Sequence, residues 1–431
     1  MGYVAVRGGG RAIEESLKLL ECERVQASAA WGADEIAGTF PELVDQVMGE
    51  ASLYAPQLAA LALKQAQGSP DEAVFLLRAF RSTLERPYVS RPVDTGAMRP
   101  ERRISAAFKD VPGGQLLGAT RDYSHRLLKF DLAEEDEAAL SRKRAELEAH
   151  FAGAGDAGDA GGAGADAAGG EGGADADADG GASAGATRAA GAASLAGGDA
   201  VLVASRAPAA APVSATLPRV LDYLRKEGLV APVEPDDASP VDATMCPLSF
   251  PAPRSVRLQT LARGMTQAVE ALGYAAIRGF GPAHPTVGEL RRGLVAVAID
   301  HPCAQGDPEE AYYVGSVPVT EVESVFMAEG EAAPDGKDRL SLAVGYGLVF
   351  GRAETKAIAM SVLDRCLSIG DARYPTQDEE FVLYHVDGVE ATGFISHLKL
   401  PHYVTFQSKL SSVRTTRAEP DAKEAEDAAA L

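Results

Sequence analysis

Apolar positions recur at helical spacing through much of the first third of the chain. A β-branched run at 3–6 enters the glycine turn Arg7-Gly8-Gly9-Gly10-Arg11, and a helical pattern follows over 13–20. From 41 to 86 the pattern is helical again. Ser69-Pro70-Asp71-Glu72 marks a helix start, with a Ser N-cap, Pro at the first position and Glu three residues after the cap. Val74, Leu77, Phe80 and Leu84 fall on one face of that helix, and Arg78, Arg81 and Arg86 read as the solvated face of a scaffold or subunit interface. Residues 131–150 are acidic and helical. Beyond Pro218, a short helix over 220–224 closes on Gly228, a proline-containing loop spans 232–253, and one helix is predicted over 255–272. The runs 294–299, 312–319 and 322–327 read as strands, with a turn at Asp335-Gly336, and 345–351 leads into a helix over 354–367. Period-two patterning around Phe381, Leu383 and His385, and again over 394–400, predicts two short strands joined by a turn.

This pattern collapses between 152 and 198, which is nearly all Gly, Ala and Asp and offers little apolar surface to offset ordering entropy. The expected architecture is therefore α+β: an N-terminal mostly helical part (1–150) with basic glycine-rich loops, a disordered linker (151–215), a C-terminal mixed sheet and helix part (216–415), and a frayed tail (416–431).

Composition narrows the class. Hydrophobic content of 46% and charged content of 24% suit a globular protein. A net charge of −21 argues against a nucleic-acid groove, although a nucleotide needs only a local basic pocket. Cys22, Cys246, Cys303 and Cys366 show no metal-ligand or paired spacing and read as thiols in a reducing compartment. No run approaches the roughly 18 apolar residues of a membrane span, and the strand-like start resembles no signal peptide, so a cytoplasmic location is expected.

Four stretches carry candidate chemistry. The first glycine turn could present backbone N–H groups to an anion or close a helix onto a sheet. Arg99, Arg102, Arg103 and Lys109, followed by Gly113, Gly114 and Gly118, form either an anion pocket or a counter-charge to acidic neighbours. The G-x-G-x-x-x-G run of Gly345, Gly347 and Gly351 departs from the dinucleotide fingerprint. Arg352 and Lys356 after it suit an anion at a helix start, or two solvated bases beside a packed glycine strand. The last stretch, 377–406, holds Asp378, Glu379 and Glu380, three of the chain's 7 histidines (His385, His397 and His402) and Lys399. His397 and His402 converge only if Pro401 turns the backbone between them. They would then share a metal, or else be one core and one surface histidine. His284, between Ala283 and Pro285, reads as structural.

Taken together, GYGLVFG (345–351), PGGQLLG (112–118), DYSHRLL (122–128), YVAVRGG (3–9) and the 377–406 stretch resemble the PhnI family of bacterial carbon–phosphorus lyase subunits. The resemblance covers roughly 1–130 and 215–412. It implies partner subunits G, H, J, K and L, with ATP and methylphosphonate as substrates. With partners, the ribose 5-triphosphate of ATP would pass to methylphosphonate with release of adenine. Alone, the subunit would be a purine nucleoside triphosphate nucleosidase, or, in the competing reading, a non-catalytic scaffold. On this basis Asp378, Glu379 or Glu380 is expected at the sugar and His385 or His125 in acid–base work. Arg102, Arg103, Lys109, Gly113, Gly114, Gly345, Gly347 and Lys356 are expected at the triphosphate. In the family the pair matching His397 and His402 is associated with a metal site, here expected to be zinc.

Overall fold

Two helical layers and one sheet take up the buried apolar positions. The computed structural model describes residues 9–26, 30–156, 217–231, 239–280, 284–303, 310–332, 338–399 and 403–429. The predicted strand at 3–6, most of the predicted linker and the turn at 335–336 lie outside the described residues.

The first helix, α1 (Gly9–Arg24), buries no side chain, and Gly9, Gly10 and Arg11 belong to it rather than to a turn. Next come α2 (Ala33–Thr39), α3 (Pro41–Ala51), α4 (Pro56–Gln65) and α5 (Pro70–Arg81), which share one apolar cluster around Val47, Met48, Leu63 and Leu77. The α5 start is as predicted: Pro70 leads, and the Ser69 hydroxyl accepts the Glu72 N–H at 3.4 Å. Arg78 and Arg81 are not on a solvated face, whereas Arg86, beyond the helix, is about half exposed. Arg78 forms a two-pronged pair with Asp387 (2.9 and 3.0 Å) and donates to the carbonyls of Glu50 and Arg263, while Arg81 donates to Thr244 and Arg86 pairs with Asp242. They tie the helical cluster to the C-terminal half.

The sheet is antiparallel, in the order β1 (Arg99–Ile104), β2 (Thr286–Asp300), β3 (Ala311–Ala332) and β4 (Asp338–Phe350). Its edge strand β1 comes from the basic stretch read as a loop, and the runs 312–319 and 322–327 are one strand. Between β1 and β2 run α6 (Glu137–Asp156), α7 (Val220–Lys226), α8 (Arg254–Arg263) and α9 (Thr266–Ala275). The single helix predicted over 255–272 is thus two, broken at Gly264, where an added Cβ would sit 2.9 Å from the Val386 side chain. Gly228 ends α7 at φ +72°, as its cap role predicts.

After β4 come α10 (Glu354–Ile369), α11 (Glu379–His385), α12 (Gly388–His397) and α13 (Tyr403–Ala429). The period-two reading of 377–400 is overturned. Asp378 and Asp387 are N-caps, accepting N–H bonds from Phe381 and from Val389 and Glu390, so the carboxylate triplet is a cap plus a first acidic turn. Val382, Leu383 and Val386 face inward at helical spacing. The last helix runs on past 416 to Ala429.

One sheet face carries α10, with Met360, Leu363 and Leu367 in the main core beside Leu261, Leu290 and Val322. Each such side chain contributes about 1.5–3 kcal/mol on burial. Gly345 and Gly347 make this close packing possible: a Cβ at either would lie 2.0 Å from the carbonyl oxygen of Ser361 or Ala357. The other face has α7 over one apolar patch, and beside it a buried polar band of Arg103, Arg219, Glu289, Arg291, Glu321 and Glu323.

Candidate functional site

The N-termini of α3, α9 and α10 line one cleft of about 850 Å³, through Pro41, Thr266 and Glu354. Each terminus carries about half a positive charge, although the Thr266 N–H is taken by Glu50 at 2.9 Å and the Glu354 N–H by the Arg352 carbonyl at 2.8 Å. The cleft's remaining wall is the 119–126 segment, and Arg292 of β2 lies in its lining.

Local sequence sets this geometry. After β4 the chain turns at Gly351, φ +66°, where a Cβ would lie 2.1 Å from Asp45 Cγ. Asp45 accepts the Arg352 N–H at 3.0 Å, and burial pushes its carboxyl up although the Arg352 guanidinium opposes the shift. Glu354, in the first turn of α10, binds Arg102 at 3.0 Å and Arg292 at 3.1 Å. Arg102 also lies over the Tyr123 ring (5.5 Å) and donates to the Tyr123 hydroxyl and the Leu117 carbonyl. Gly118 lets this segment run tightly along β1, since a Cβ there would lie 2.8 Å from the Glu101 oxygen. The PGGQLLG motif thus delivers residues 119–126 to the cleft.

Four arginines line the cleft: Arg121, Arg126, Arg292 and Arg352. Arg121 pairs with Glu42 and Arg126 with Asp122, and all four of these side chains are about half exposed or more. Such pairs are worth under about 1 kcal/mol, so they can yield to a multiply charged anion. Arg292 is buried, and its Nε has no acceptor among the described residues. Glu270 also lines the cleft.

The residues singled out in the sequence scatter. Arg102 supports the cleft from behind. Arg103 is fully enclosed, bound to Glu289 at 2.6 Å and to the carbonyls of Pro112, Gly114 and Pro218, so Gly113 and Gly114 (φ +84° and +80°) wrap an internal arginine. Lys356 is equally enclosed, donating to the carbonyls of Ala262 (2.8 Å) and Gly264 (2.6 Å), and burial brings its ammonium down to about 8. Gly345 and Gly347 lie beneath α10 rather than at the cleft. Lys109 and His125 are exposed and outside the lining. Glu379 accepts the Ala252 N–H, with Arg257 at 3.7 Å. His385 stacks on Phe381 with its Nδ1 2.6 Å from that residue's carbonyl, and none of Asp378, Glu379, Glu380 or His385 lines the cleft. His284 is exposed. His397 ends α12 and His402 lies outside the described residues, among which no group of three metal-ligating side chains occurs.

Sequence reasoning missed Arg121, Arg292 and Glu270. Arg292 had a usable signal, two adjacent arginines directly before an apolar strand run. Glu270 had none beyond its place in a helix. Large apolar side chains stand exposed at Leu127, Leu128 and Phe130, and at Phe394 (74%), Ile395 (68%) and Leu398 (76%) on and just after α12. Patches of this kind mark protein contacts. Among the described residues no helix is long and apolar enough to cross a membrane.

The family described as bacterial phosphonate metabolism protein (PhnI) matches residues 2–420. The chain is 40% identical over 438 residues to a putative C-P lyase subunit protein HtxH of Stutzerimonas stutzeri, covering all of both chains. It is 39% identical to the alpha-D-ribose 1-methylphosphonate 5-triphosphate synthase subunit PhnI of Rhizobium meliloti, covering 98% of this chain and 97% of that one. Identity to the subunit of the same name from Escherichia coli is also 39%, over 97% and 99%.

Proposed function

The chain belongs to the PhnI family of bacterial phosphonate metabolism proteins, and from that premise we propose that it is a subunit of a carbon–phosphorus lyase assembly whose 850 Å³ cleft grips the triphosphate of a purine nucleotide. With its partner subunits it transfers the ribose 5-triphosphate of ATP to methylphosphonate and releases adenine. Alone it uses water as acceptor and acts as a nucleosidase.

The observation that carries this reading is the meeting of three helix N-termini with four arginines at one opening. Glu42, Asp122, Glu354 and Asp45 offset the charge of the four arginines, so the helix termini decide the sign. Phosphate oxygens displace the exposed pairs of Arg121 and Arg126 and take up the forks of those side chains. The buried Nε of Arg292 adds an orphan donor at the same place.

The chemistry then needs little more than placement. Breaking the C1–N9 bond builds positive charge on the sugar, which cleft carboxylates stabilise, and the departing purine takes a proton. The described residues do not by themselves furnish a metal site, and no step here uses one. The exposed leucines and phenylalanines at 127–130 and 394–398 suit contacts with the partner subunits.

The test is ATP, ADP and adenosine binding to the purified chain, with adenine release followed by chromatography. Affinity is expected to rise with phosphate number, and Arg352→Ala or Arg126→Ala to cost about tenfold for ATP and little for adenosine. Equal binding of all three ligands would overturn the cleft assignment. No adenine from the chain, with or without partners, would leave the scaffold reading in its place.

A further inference from the structure

Each of the four arginines lining the cleft has a carboxylate partner: Glu42 for Arg121, Asp122 for Arg126, Glu354 for Arg292 and Asp45 for Arg352. Glu270 breaks the pattern. It lies in the second turn of α9 and lines the same cleft, and its carboxylate has no hydrogen bond or ion pair among the described residues. Its neighbours explain why. Gln46 and Thr266, which also line the cleft, both donate to Glu50 instead, at 2.9 and 2.8 Å. The cation that acts on it is the Lys356 ammonium, whose bonds go to two carbonyls.

We propose that Glu270 is the general acid that protonates the departing purine. The inference rests on the assignment of the cleft to a nucleoside triphosphate. A structural carboxylate in a half-buried place would have taken a partner, because an unpaired one is costly to desolvate. An acid must instead keep its proton free for the substrate, close to but apart from the groups that hold the phosphates. Burial raises the Glu270 pKa, only partly offset by Lys356, so the proton is retained nearer neutral pH. As the C1–N9 bond breaks, its electron pair goes to the purine, and the Glu270 proton moves to a ring nitrogen such as N7. An oxygen of methylphosphonate, or of water, closes on C1. When water is the acceptor its proton restores the Glu270 acid, and with the phosphonate anion the proton returns from solvent. No oxidant or reductant is needed.

The experiment uses the full chain with its partner subunits, ATP and methylphosphonate, comparing wild type, Glu270→Gln and Arg352→Ala for ATP affinity and single-turnover adenine release. Glu270→Gln should melt as wild type and bind ATP normally. It should release adenine about 10²–10⁴-fold more slowly, and the wild type's loss of rate at high pH should vanish. With the 7-methylguanosine nucleotide, whose base leaves without a proton, Glu270→Gln should match wild type. Unchanged adenine release by Glu270→Gln, while Arg352→Ala loses ATP, overturns the acid but keeps the cleft. Equal loss on both nucleotides also overturns it, since the residue would then act on the sugar or the fold. Normal ATP affinity and release in both variants overturns the cleft assignment itself.

Discussion

Arg103 gives the sharpest separation between a ligand-binding and a fold-holding arginine. Its side chain is fully buried, its Nε meets Glu289 at 2.6 Å, and its terminal nitrogens donate to Pro112 (2.8 Å), Gly114 (2.8 Å) and Pro218 (2.7 Å). Glu289 is equally enclosed, and its second oxygen accepts the Val220 N–H at 3.1 Å. Arg103 therefore pins three things to one point: the strand pair β1–β2, the 112–114 loop, and the start of α7. Arg103→Met keeps most of the volume and removes every donor. Breaking a buried ion pair from one side costs about 3–5 kcal/mol, and the stranded carbonyls add to this where they cannot rotate toward water. At about 2 °C per kcal/mol for a chain of this size, the melting temperature should fall by about 8 °C. Removing both charges, with Arg103→Met and Glu289→Leu together, should recover part of that loss, because no charge is then left unpaired and only the carbonyls and the Val220 N–H lose their partners. Differential scanning calorimetry of the four proteins measures the coupling. The reasoning fails if Arg103→Met melts as wild type, and an unaltered fold with ATP binding abolished would restore the arginine to the phosphate site.

Further expectations follow from the same packing logic. Gly347→Ala places a methyl 2.0 Å from the Ala357 carbonyl oxygen, backbone against backbone, so α10 must move off the sheet. A loss of at least about 1–3 kcal/mol is expected by thermal melting, and a neutral result would mean that α10 sits further from β4 than described. Burial pushes the Glu323 carboxyl up to about 7, with Glu321 beside it adding repulsion and Arg219 opposing. A raised carboxyl holds its proton in the folded state, so this contribution to stability is full below about pH 4.5 and is lost as pH rises through about 7. Glu323→Gln should flatten that fall and stabilise the protein at pH 8 by up to about 3 kcal/mol. A pH–melting curve parallel to wild type would contradict it. The proposed His397–His402 metal pair predicts zinc in the purified complex and its loss in the double alanine variant, read by elemental analysis, and stoichiometric zinc in that variant would end the proposal.

What the sequence disclosed depended on how local the controlling interaction was. Ser69-Pro70 and Gly228 announce the start of α5 and the end of α7 because cap geometry is settled within a few residues. The carboxylate triplet at 378–380 carried the same kind of signal. It was misassigned because the alternation of Phe381, Leu383 and His385 imitates a strand, while the residues that face inward are Val382, Leu383 and Val386. The glycines of GYGLVFG were legible as unusual but ambiguous, since close approach to a phosphate and close approach to a helix both exclude a side chain. Only the position of α10, set by the whole core, decides between them. The arginines were hardest. Arg102, Arg103, Arg292 and Arg352 look alike in sequence, yet one is locked inside the fold, two brace Glu354, and one is held at the cleft by Asp45 from a helix more than three hundred residues earlier. Basic clusters in an acidic chain therefore mark where charge is concentrated without showing which charges remain available. Partners brought in from distant segments determine that, and by the same criterion Glu270, which acquires no such partner, stands out.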